Sequence, residues 1–201
     1  MSVFSLFQFR NRPNIRFFGL ATVLAALLLF GCQSVPSGDV SNSFKLMKGG
    51  DKVVVEEKVT PGIKYFSTTK TLSSEEFKEQ TRGIAGQVAT AVGKSKVLKV
   101  DGPLMLIYKD RISMPESAIT AQIGFPIKGY TKDTAPYALE SKTPFKCLSL
   151  LHSSNRETTR ENWQFLYDFA KEKGYQLSGE YRTVVTVGVT GVKAELQLGI
   201  L

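Results

Sequence analysis

Ser73-Ser74-Glu75-Glu76-Phe77-Lys78-Glu79-Gln80-Thr81-Arg82-Gly83-Ile84-Ala85-Gly86-Gln87-Val88 decides the fold, because it sets one amphipathic helix between two β-rich stretches. Its opening is a capping box: the Ser side chain accepts from the third helical amide while Glu76 reaches back to the cap. Phe77, Thr81, Ile84, Ala85, Val88 and Val92 then recur at helical spacing and form one apolar face. Gly83, Ala85, Gly86, Ala89 and Ala91 are small enough for the helix to lie close to a sheet, and Gly93 can close it. The predicted helix is 74–93.

Outward from this helix the chain is β-rich on both sides. Val53-Val54-Val55-Glu56-Glu57-Lys58-Val59 is a β-branched run, broken at Thr60-Pro61-Gly62 and resumed from Ile63 to Thr68. After the helix, Gly102-Pro103 introduces the strand Leu104-Met105-Leu106-Ile107-Tyr108; Met114-Pro115-Glu116 reads as loop, and Ile119 to Ile127 as a second strand. The same order then returns. Tyr137 to His152 is extended with a break at Thr143-Pro144, and Asn155 can cap a second helix. There Trp163, Leu166, Tyr167 and Ala170 fall at i, i+3, i+4 and i+7, and Gly174 ends it. The prediction is β-α-β-β twice: strand 53–68, helix 74–93, strands 104–110 and 118–127; then strand 138–152, helix 157–173, strands 175–189 and 192–200. Identity between the halves is poor, so the repeat is one of elements. The class is α+β, an antiparallel sheet with two helices on one face, and two such halves leave a concave seam suited to a small molecule.

Ahead of this domain, Arg10, Arg12 and Arg16 precede an apolar run from Phe17 to Phe30, the layout of a secretory signal. The run is shorter than the roughly 20 residues of a membrane span. It ends at Leu29-Phe30-Gly31-Cys32, which resembles the lipobox of bacterial lipoproteins, with Phe30 bulkier than usual. The resemblance implies cleavage before Cys32, diacylglyceryl transfer to its thiol, and stable anchoring by two or more acyl chains. Gln33 rather than Asp follows, which by the same analogy directs the protein to the outer membrane, facing the periplasm. The organisation expected is a leader at 1–31, a Ser/Gly/Asn-rich tether at 32–52, and the folded domain at 53–201.

The formal charge is +8, and the leader takes three arginines of it, leaving +5 on the remainder. Scattered lysines form no basic helix face, so a solvated surface near anionic lipid heads is expected, not a nucleic-acid interface. Of two cysteines, Cys32 goes to lipid and Cys147 is read as a buried, inert thiol. The single histidine, His152, excludes a His-rich metal site, and no CxxC, HExxH or Walker pattern is present.

Gly102-Pro103-Leu104-Met105-Leu106-Ile107-Tyr108, Gly124-Phe125-Pro126-Ile127, Trp163 to Tyr175 and Ala194-Glu195-Leu196-Gln197-Leu198-Gly199-Ile200 together resemble the GyrI-like family. These are small-molecule-binding domains found alone or as effector-binding domains of AraC-type and MerR-type activators. The resemblance covers roughly residues 53–201. It departs at Phe169 for a usual Trp, at Ala194 for Thr, at Gly199 for Pro, and at Ser153-Ser154-Asn155-Arg156 for a Gly-x-Tyr. The family's pocket acid aligns with Thr183-Val184-Val185, which holds no carboxylate; Glu180, three positions earlier, reads as an exposed turn residue.

The resemblance implies a binding module that takes a small apolar or aromatic molecule in the seam. Its candidate contacts are Tyr65, Tyr108, Phe125, Trp163, Tyr167, Phe169, Tyr181 and Glu195, each weighed against ordinary core packing. A GyrI-like hydrolase is the alternative, weakened by the missing acid. A third reading is haem or tetrapyrrole binding, since the SOUL family shares the repeated architecture, with His152 as the one imidazole. The expectation is no enzyme activity, no cofactor, no metal and no nucleic acid, with the membrane reached through the lipid anchor.

Overall fold

The computed structural model describes residues 42–48, 51–153, 159–188 and 191–201, with the side chains of 46–48, 51–52 and 152–153 left aside. The leader, Cys32 and the Asn155 cap lie outside the described residues, as does the side chain of His152. The elements are β1 (Asn42–Lys48), β2 (Asp51–Thr60), β3 (Ile63–Leu72), α1 (Ser74–Lys94), β4 (Lys99–Val100), β5 (Leu104–Lys109), β6 (Ile119–Lys128), β7 (Ala138–Lys142), β8 (Phe145–Ser153), α2 (Thr159–Glu172), β9 (Leu177–Gly188) and β10 (Gly191–Ile200).

Both helices form where their sequences place them. At α1 the Glu76 amide donates to Ser73 Oγ at 3.2 Å and the Ser73 amide donates to Glu76 Oε2 at 2.7 Å, completing the capping box. Gly93 stays helical, and the stop falls at Ser95 in an extended conformation. At α2, Gly174 takes φ +76°, its amide donates to the Lys171 carbonyl, and the Tyr175 amide reaches the Ala170 carbonyl. That double bond is the Schellman closure that glycine permits.

All the sheet pairings are antiparallel, in the order β1-β2-β8-β10-β9-β5-β6-β3-β7, with β4 added beside β6. The order is two-fold about the β5–β9 pair: outward come β6, β3 and β7 on one side, and β10, β8 and β2 on the other. The first strand of each half is therefore exchanged. β2 pairs with β8 of the second half, and β7 pairs with β3 of the first. The exchange follows from the two breaks. Val55↔Leu150 and Thr60↔Phe145 on one side of them, and Ile63↔Lys142 and Ser67↔Ala138 on the other, keep one unbroken register. Residues 51–72 and 138–153 are thus one long bent ribbon tying the two ends of the sheet. Pro61 and Pro144, which carry no amide donor, sit at the bends. Gly62 lies there so close to the Lys142 carbonyl that a Cβ would stand 2.9 Å from its oxygen.

The stretch read as a tether requires a correction: Asn42–Lys48 is strand β1, paired with β2 from Asn42↔Glu57 to Lys48↔Asp51. This register leaves only Gly49-Gly50 between the strands, a pair suited to a two-residue hairpin. Polar composition hid an alternation in which Phe44 turns inward, its ring 5.2 Å from that of Phe169.

The helices cover one face of the sheet. Ile84 of α1 and Trp163, Leu166, Phe169 and Ala170 of α2 join Leu106, Tyr108, Ile123, Leu148, Tyr181, Leu196 and Leu198 in one core. A smaller cluster of Phe66, Val88, Val92, Leu98 and Ile127 lies under the far part of α1. On the helix-free face the ribbon bends the sheet over Tyr65, Ser67, Met105, Ile107, Cys147, Ser149, Arg182 and Gln197, all buried. Ile107↔Arg182 marks the two-fold there, flanked by Gln122 on β6 and Gln197 on β10. Two residues on, Gly124 and Gly199 also correspond, so Gln122-Ile123-Gly124 and Gln197-Leu198-Gly199 are a repeated segment that the sequence comparison of the halves overlooked.

Candidate functional site

The seam is the line where β5 meets β9. On its helix side Tyr108 and Tyr181 are cross-strand partners, and the indole of Trp163 stands edge-on to Tyr181 at 5.4 Å. Alternation sends Leu106 and Tyr108 to this face, and α2 presents Trp163 because that residue shares a stripe with Leu166 and Ala170. Tyr167, half-buried on α2, lies near enough to act on Tyr181. Burial first, then the Asp110 carboxylate and Tyr167, pushes the Tyr181 hydroxyl up to about 12. Burial also raises Tyr108, against the opposing pull of Thr183 and Arg111. Both phenols are therefore neutral donors at physiological pH.

Residues 110–118, the connection from β5 to β6, cross over this site. Ile112 and Met114 pack against the main core cluster, to which Tyr108, Trp163 and Tyr181 belong. Arg111, itself buried, extends under Tyr108 with its guanidinium carbon 6.0 Å from the ring centroid. Glu116 ties the segment down at three points. Its Oε1 accepts from Arg111 Nη2 at 3.1 Å and pairs with Arg160 Nη1 of α2 at 3.4 Å, while its carbonyl accepts from the Ser74 amide of α1 at 2.7 Å. Burial disfavours the charged form of Glu116, yet Arg111, Ser74 and Arg160 outweigh it and hold its carboxyl below the ordinary value. One strap thus bridges the N-terminal ends of both helices over the seam rings. The sequence reading took Met114-Pro115-Glu116 as plain loop. The signal within reach was the alternation of apolar Ile112 and Met114 with charged or polar neighbours in a connection that had no reason to be apolar.

The candidate contacts divide. Tyr108, Trp163 and Tyr181 meet at the seam, and Tyr167 stands half-buried on the same helix as Trp163, with Lys171 Nζ 5.4 Å from its ring. Phe125 packs in the smaller cluster under α1, while Phe169 shares the main core cluster with the seam rings and also meets Phe44 of β1, with Lys173 Nζ 5.9 Å from its ring. Tyr65 and Glu195 lie on the opposite face. The Tyr65 hydroxyl donates to the Met105 carbonyl at 2.7 Å and the Gln122 carbonyl at 3.1 Å, and burial raises it well above the ordinary tyrosine value. Glu195 pairs with Lys58 and accepts from Gln197 Nε2 at 2.9 Å.

That helix-free face sets polar pairs beside an apolar cluster of Tyr65, Met105 and Ile107. Arg182 Nε donates to Glu180 Oε1 at 2.6 Å while its guanidinium lies 3.8 Å from the Phe145 ring centroid. Glu180 is accordingly half-buried and ion-paired, not the exposed turn residue expected. Gln122 bridges Glu140 and Lys142. Cys147 is fully buried, and burial lifts its thiol to about 12, so it is inert. Among the described residues no group of three or more His, Cys, Asp or Glu side chains is placed to hold a metal. Open depressions lie elsewhere: one of about 620 Å³ runs along Gly83, Gly86, Thr90 and Tyr137, and one of about 400 Å³ flanks the ribbon's bend at Pro61 and Gly62.

No family model and no curated protein matches the chain. Solved structures do. The EcmrR C-terminal domain superposes with TM-score 0.64 at 13% identity, covering 74% of this chain and 98% of that one. EcmrR in its DNA complex gives 0.65 at 13%, covering 73% of this chain and 56% of that one, so this chain spans little more than half of that protein. SAV2435 bound to tetraphenylphosphonium gives 0.50 at 8% identity over 72% and 93% of the two chains. A hydrolase from Listeria innocua gives 0.51 at 12% over 73% and 91%. At these identities the likeness is one of fold. The chain has the tandem β-α-β-β, two-helix α+β architecture of the GyrI-like effector-binding fold.

Proposed function

We propose that this chain is a lipid-anchored extracytoplasmic lipoprotein of the outer membrane whose GyrI-like domain binds a small apolar or aromatic molecule at the seam. The observation that carries the reading is the meeting of Tyr108, Tyr181 and Trp163 from both halves under one strap. Polar-tipped rings suit flat apolar ligands, and a good ring pair adds about 0.5–1.5 kcal/mol beyond burial. A ligand-bound neighbour of the same fold supports it. The anchor rests on the Leu29-Phe30-Gly31-Cys32 junction and the basic leader. Among the described residues no helix is long and apolar enough to cross a membrane.

Binding is favoured over hydrolysis. Three half-buried carboxylates on the helix-free face are each paired with a cation, Glu180 with Arg182, Glu195 with Lys58 and Glu140 with Lys142, which argues against their acting as acid or base. Trp163 is the chain's only tryptophan, so its fluorescence reports on the seam. Energy transfer from Trp163 to the neutral dye N-phenyl-1-naphthylamine is expected to saturate with dye concentration. A signal that stays linear sinks the binding reading. For the anchor, Cys32→Ser should abolish palmitate labelling and release the protein from membranes; unchanged labelling and sedimentation reject it.

A further inference from the structure

The strap over the seam is held by a pairing that is poorly matched on one side. Arg111 and Arg160 both approach Glu116 through the same oxygen, Oε1, at 3.1 and 3.4 Å. Neither guanidinium therefore makes the parallel two-bond fork that arginine offers a carboxylate. The two cations differ in setting. Arg160 is 68% exposed, whereas the Arg111 side chain is 11% exposed and lies beneath the strap beside Tyr108. Arg111 was desolvated when the chain folded, so an incoming anion need not meet that cost again. Glu116 has the reverse position: it is half-buried, and Arg160 at the surface can keep it as a partner if it swings outward. Asp110 begins the strap but is exposed, and Glu116 is the one carboxylate paired with Arg111.

The apolar half of the strap is placed to move with the polar half. Ile112 and Met114 sit only partly buried against the core cluster that contains the seam rings, between Arg111 and Glu116 in sequence. The strap's internal backbone bonds are few, from the Ser113 amide to the Asp110 carbonyl at 3.2 Å and from the Ala118 amide to the Pro115 carbonyl at 3.0 Å. A displaced Met114 would open the core cluster that holds Tyr108, Tyr181 and Trp163, and the same motion would draw Glu116 from Arg111.

We propose that Glu116 is an internal stand-in for the anionic group of the ligand, so that a flat apolar molecule carrying one carboxylate or sulfonate exchanges with it on Arg111 and lifts the strap off the seam rings. This rests on the binding reading above and adds the ligand's charge and the residue that selects it. The anionic group takes the two-bond fork that Glu116 leaves unused, and the apolar body takes the place of Met114. Arg111 is then the specificity residue, and Glu116 the latch that keeps the empty seam closed.

The test uses the full chain in mild detergent, with energy transfer from Trp163 to two dyes of similar shape. One is 1-anilinonaphthalene-8-sulfonate, which is anionic; the other is neutral N-phenyl-1-naphthylamine. The readout is the ratio of their affinities, which cancels any general loosening of the strap. Glu116→Gln should raise the preference for the sulfonate by about tenfold, the order expected when one charged hydrogen-bond partner is freed. Arg111→Met should erase the preference for the sulfonate, whatever change both dyes share when the latch is released. If Arg111→Met fails to fold, Arg111→Lys keeps the charge without the fork and should lose most of the preference. Amide exchange should quicken at Ser113 and Ala118 when the sulfonate binds, with both helices unchanged. A dye ratio equal in wild type, Glu116→Gln and the Arg111 variants overturns the exchange on Arg111 while binding at the seam stands. Slower exchange across 110–118 with sulfonate bound overturns the lifting of the strap. No saturable transfer with either dye, in wild type or Glu116→Gln, removes the binding reading and the proposal with it.

Discussion

Gly124→Ala tests the sheet register on which the seam depends. Gly124 on β6 faces Ser67 on β3, and an added Cβ would stand 2.1 Å from the Phe66 carbonyl oxygen, 2.6 Å from Ser67 Cβ and 2.7 Å from Ser67 Cα. None of these atoms belongs to a flexible side-chain end, so relief requires β3 to move off β6. That movement strains the ladder beside Gly124 and pulls Tyr65 from its bonds to the Met105 and Gln122 carbonyls. Overpacking costs about 1–3 kcal/mol, and each buried hydrogen bond lost adds about 1 kcal/mol. With the one shared proton of the Tyr65 hydroxyl counted once, the expected loss is about 2–4 kcal/mol, out of a total of roughly 5–15 kcal/mol for a domain. At about 2–4 °C per kcal/mol for a chain of this size, Tm should fall by on the order of 10 °C. Urea unfolding followed by Trp163 fluorescence gives the free energy. Gly86→Ala is the control: it lies on the exposed side of α1 with nothing within 4 Å of the added Cβ, and it should stabilise by up to about 1 kcal/mol. A Gly124→Ala protein within 1 kcal/mol of wild type would place residue 124 on the other face, which refutes the register.

Three further outcomes follow from named contacts. Burial that lifts the Cys147 thiol to about 12 predicts no labelling by maleimide at mildly alkaline pH until denaturant is added; prompt labelling of the folded chain contradicts the burial of the helix-free face. The Tyr175 hydroxyl, ahead of Asn42 and Lys146 and against the opposing cost of burial, holds the Glu57 carboxyl below its ordinary value of 4.5. Its stabilisation is present above that value and lost as pH falls through the lowered one, so Glu57→Gln should flatten the acid limb of a Tm–pH profile, and an unchanged limb disproves the linkage. Tyr65→Phe removes a hydroxyl bonded at 2.7 Å to the Met105 carbonyl and should cost about 1–1.5 kcal/mol in urea unfolding; a neutral result means those carbonyls find another donor.

Local chemistry was legible in the sequence, and long-range pairing was not. The capping box at Ser73 and the closing Gly174 are complete within a few residues, so their spelling was enough to place both helices. The breaks at Thr60-Pro61-Gly62 and Thr143-Pro144 could also be read, but a break does not say which strand the resumed segment joins. The exchange of β2 and β7 between halves is fixed by the bent ribbon, whose register exists only between segments some eighty residues apart. The candidate rings show the same limit. Tyr108 and Tyr181 could be named as candidates, yet their meeting at the seam follows from the β5–β9 register. Phe169 has a ring partner that the sequence did not show, because Phe44 sits on β1, a strand concealed in polar composition.

The two-fold arrangement itself points to where function was added. Corresponding strands repeat down to Gln122-Ile123-Gly124 and Gln197-Leu198-Gly199, whose glycines both sit where a Cβ would strike a neighbour. Close packing thus demands both glycines, against the β3 backbone at Gly124 and against Ser178, Phe145 and the Glu180 carbonyl at Gly199. The connections between the last two strands of each half do not repeat. Gly188 pairs with Gly191 and leaves two residues between β9 and β10, whereas β5 and β6 are separated by the strap. A tight turn would close the first half equally well, so folding alone does not call for residues 110–118, still less for a buried arginine within them. Extra chain that brings Arg111, Met114 and Glu116 over aromatic rings is chemistry in excess of what the sheet requires, and connections of this kind are where a rigid scaffold carries its site.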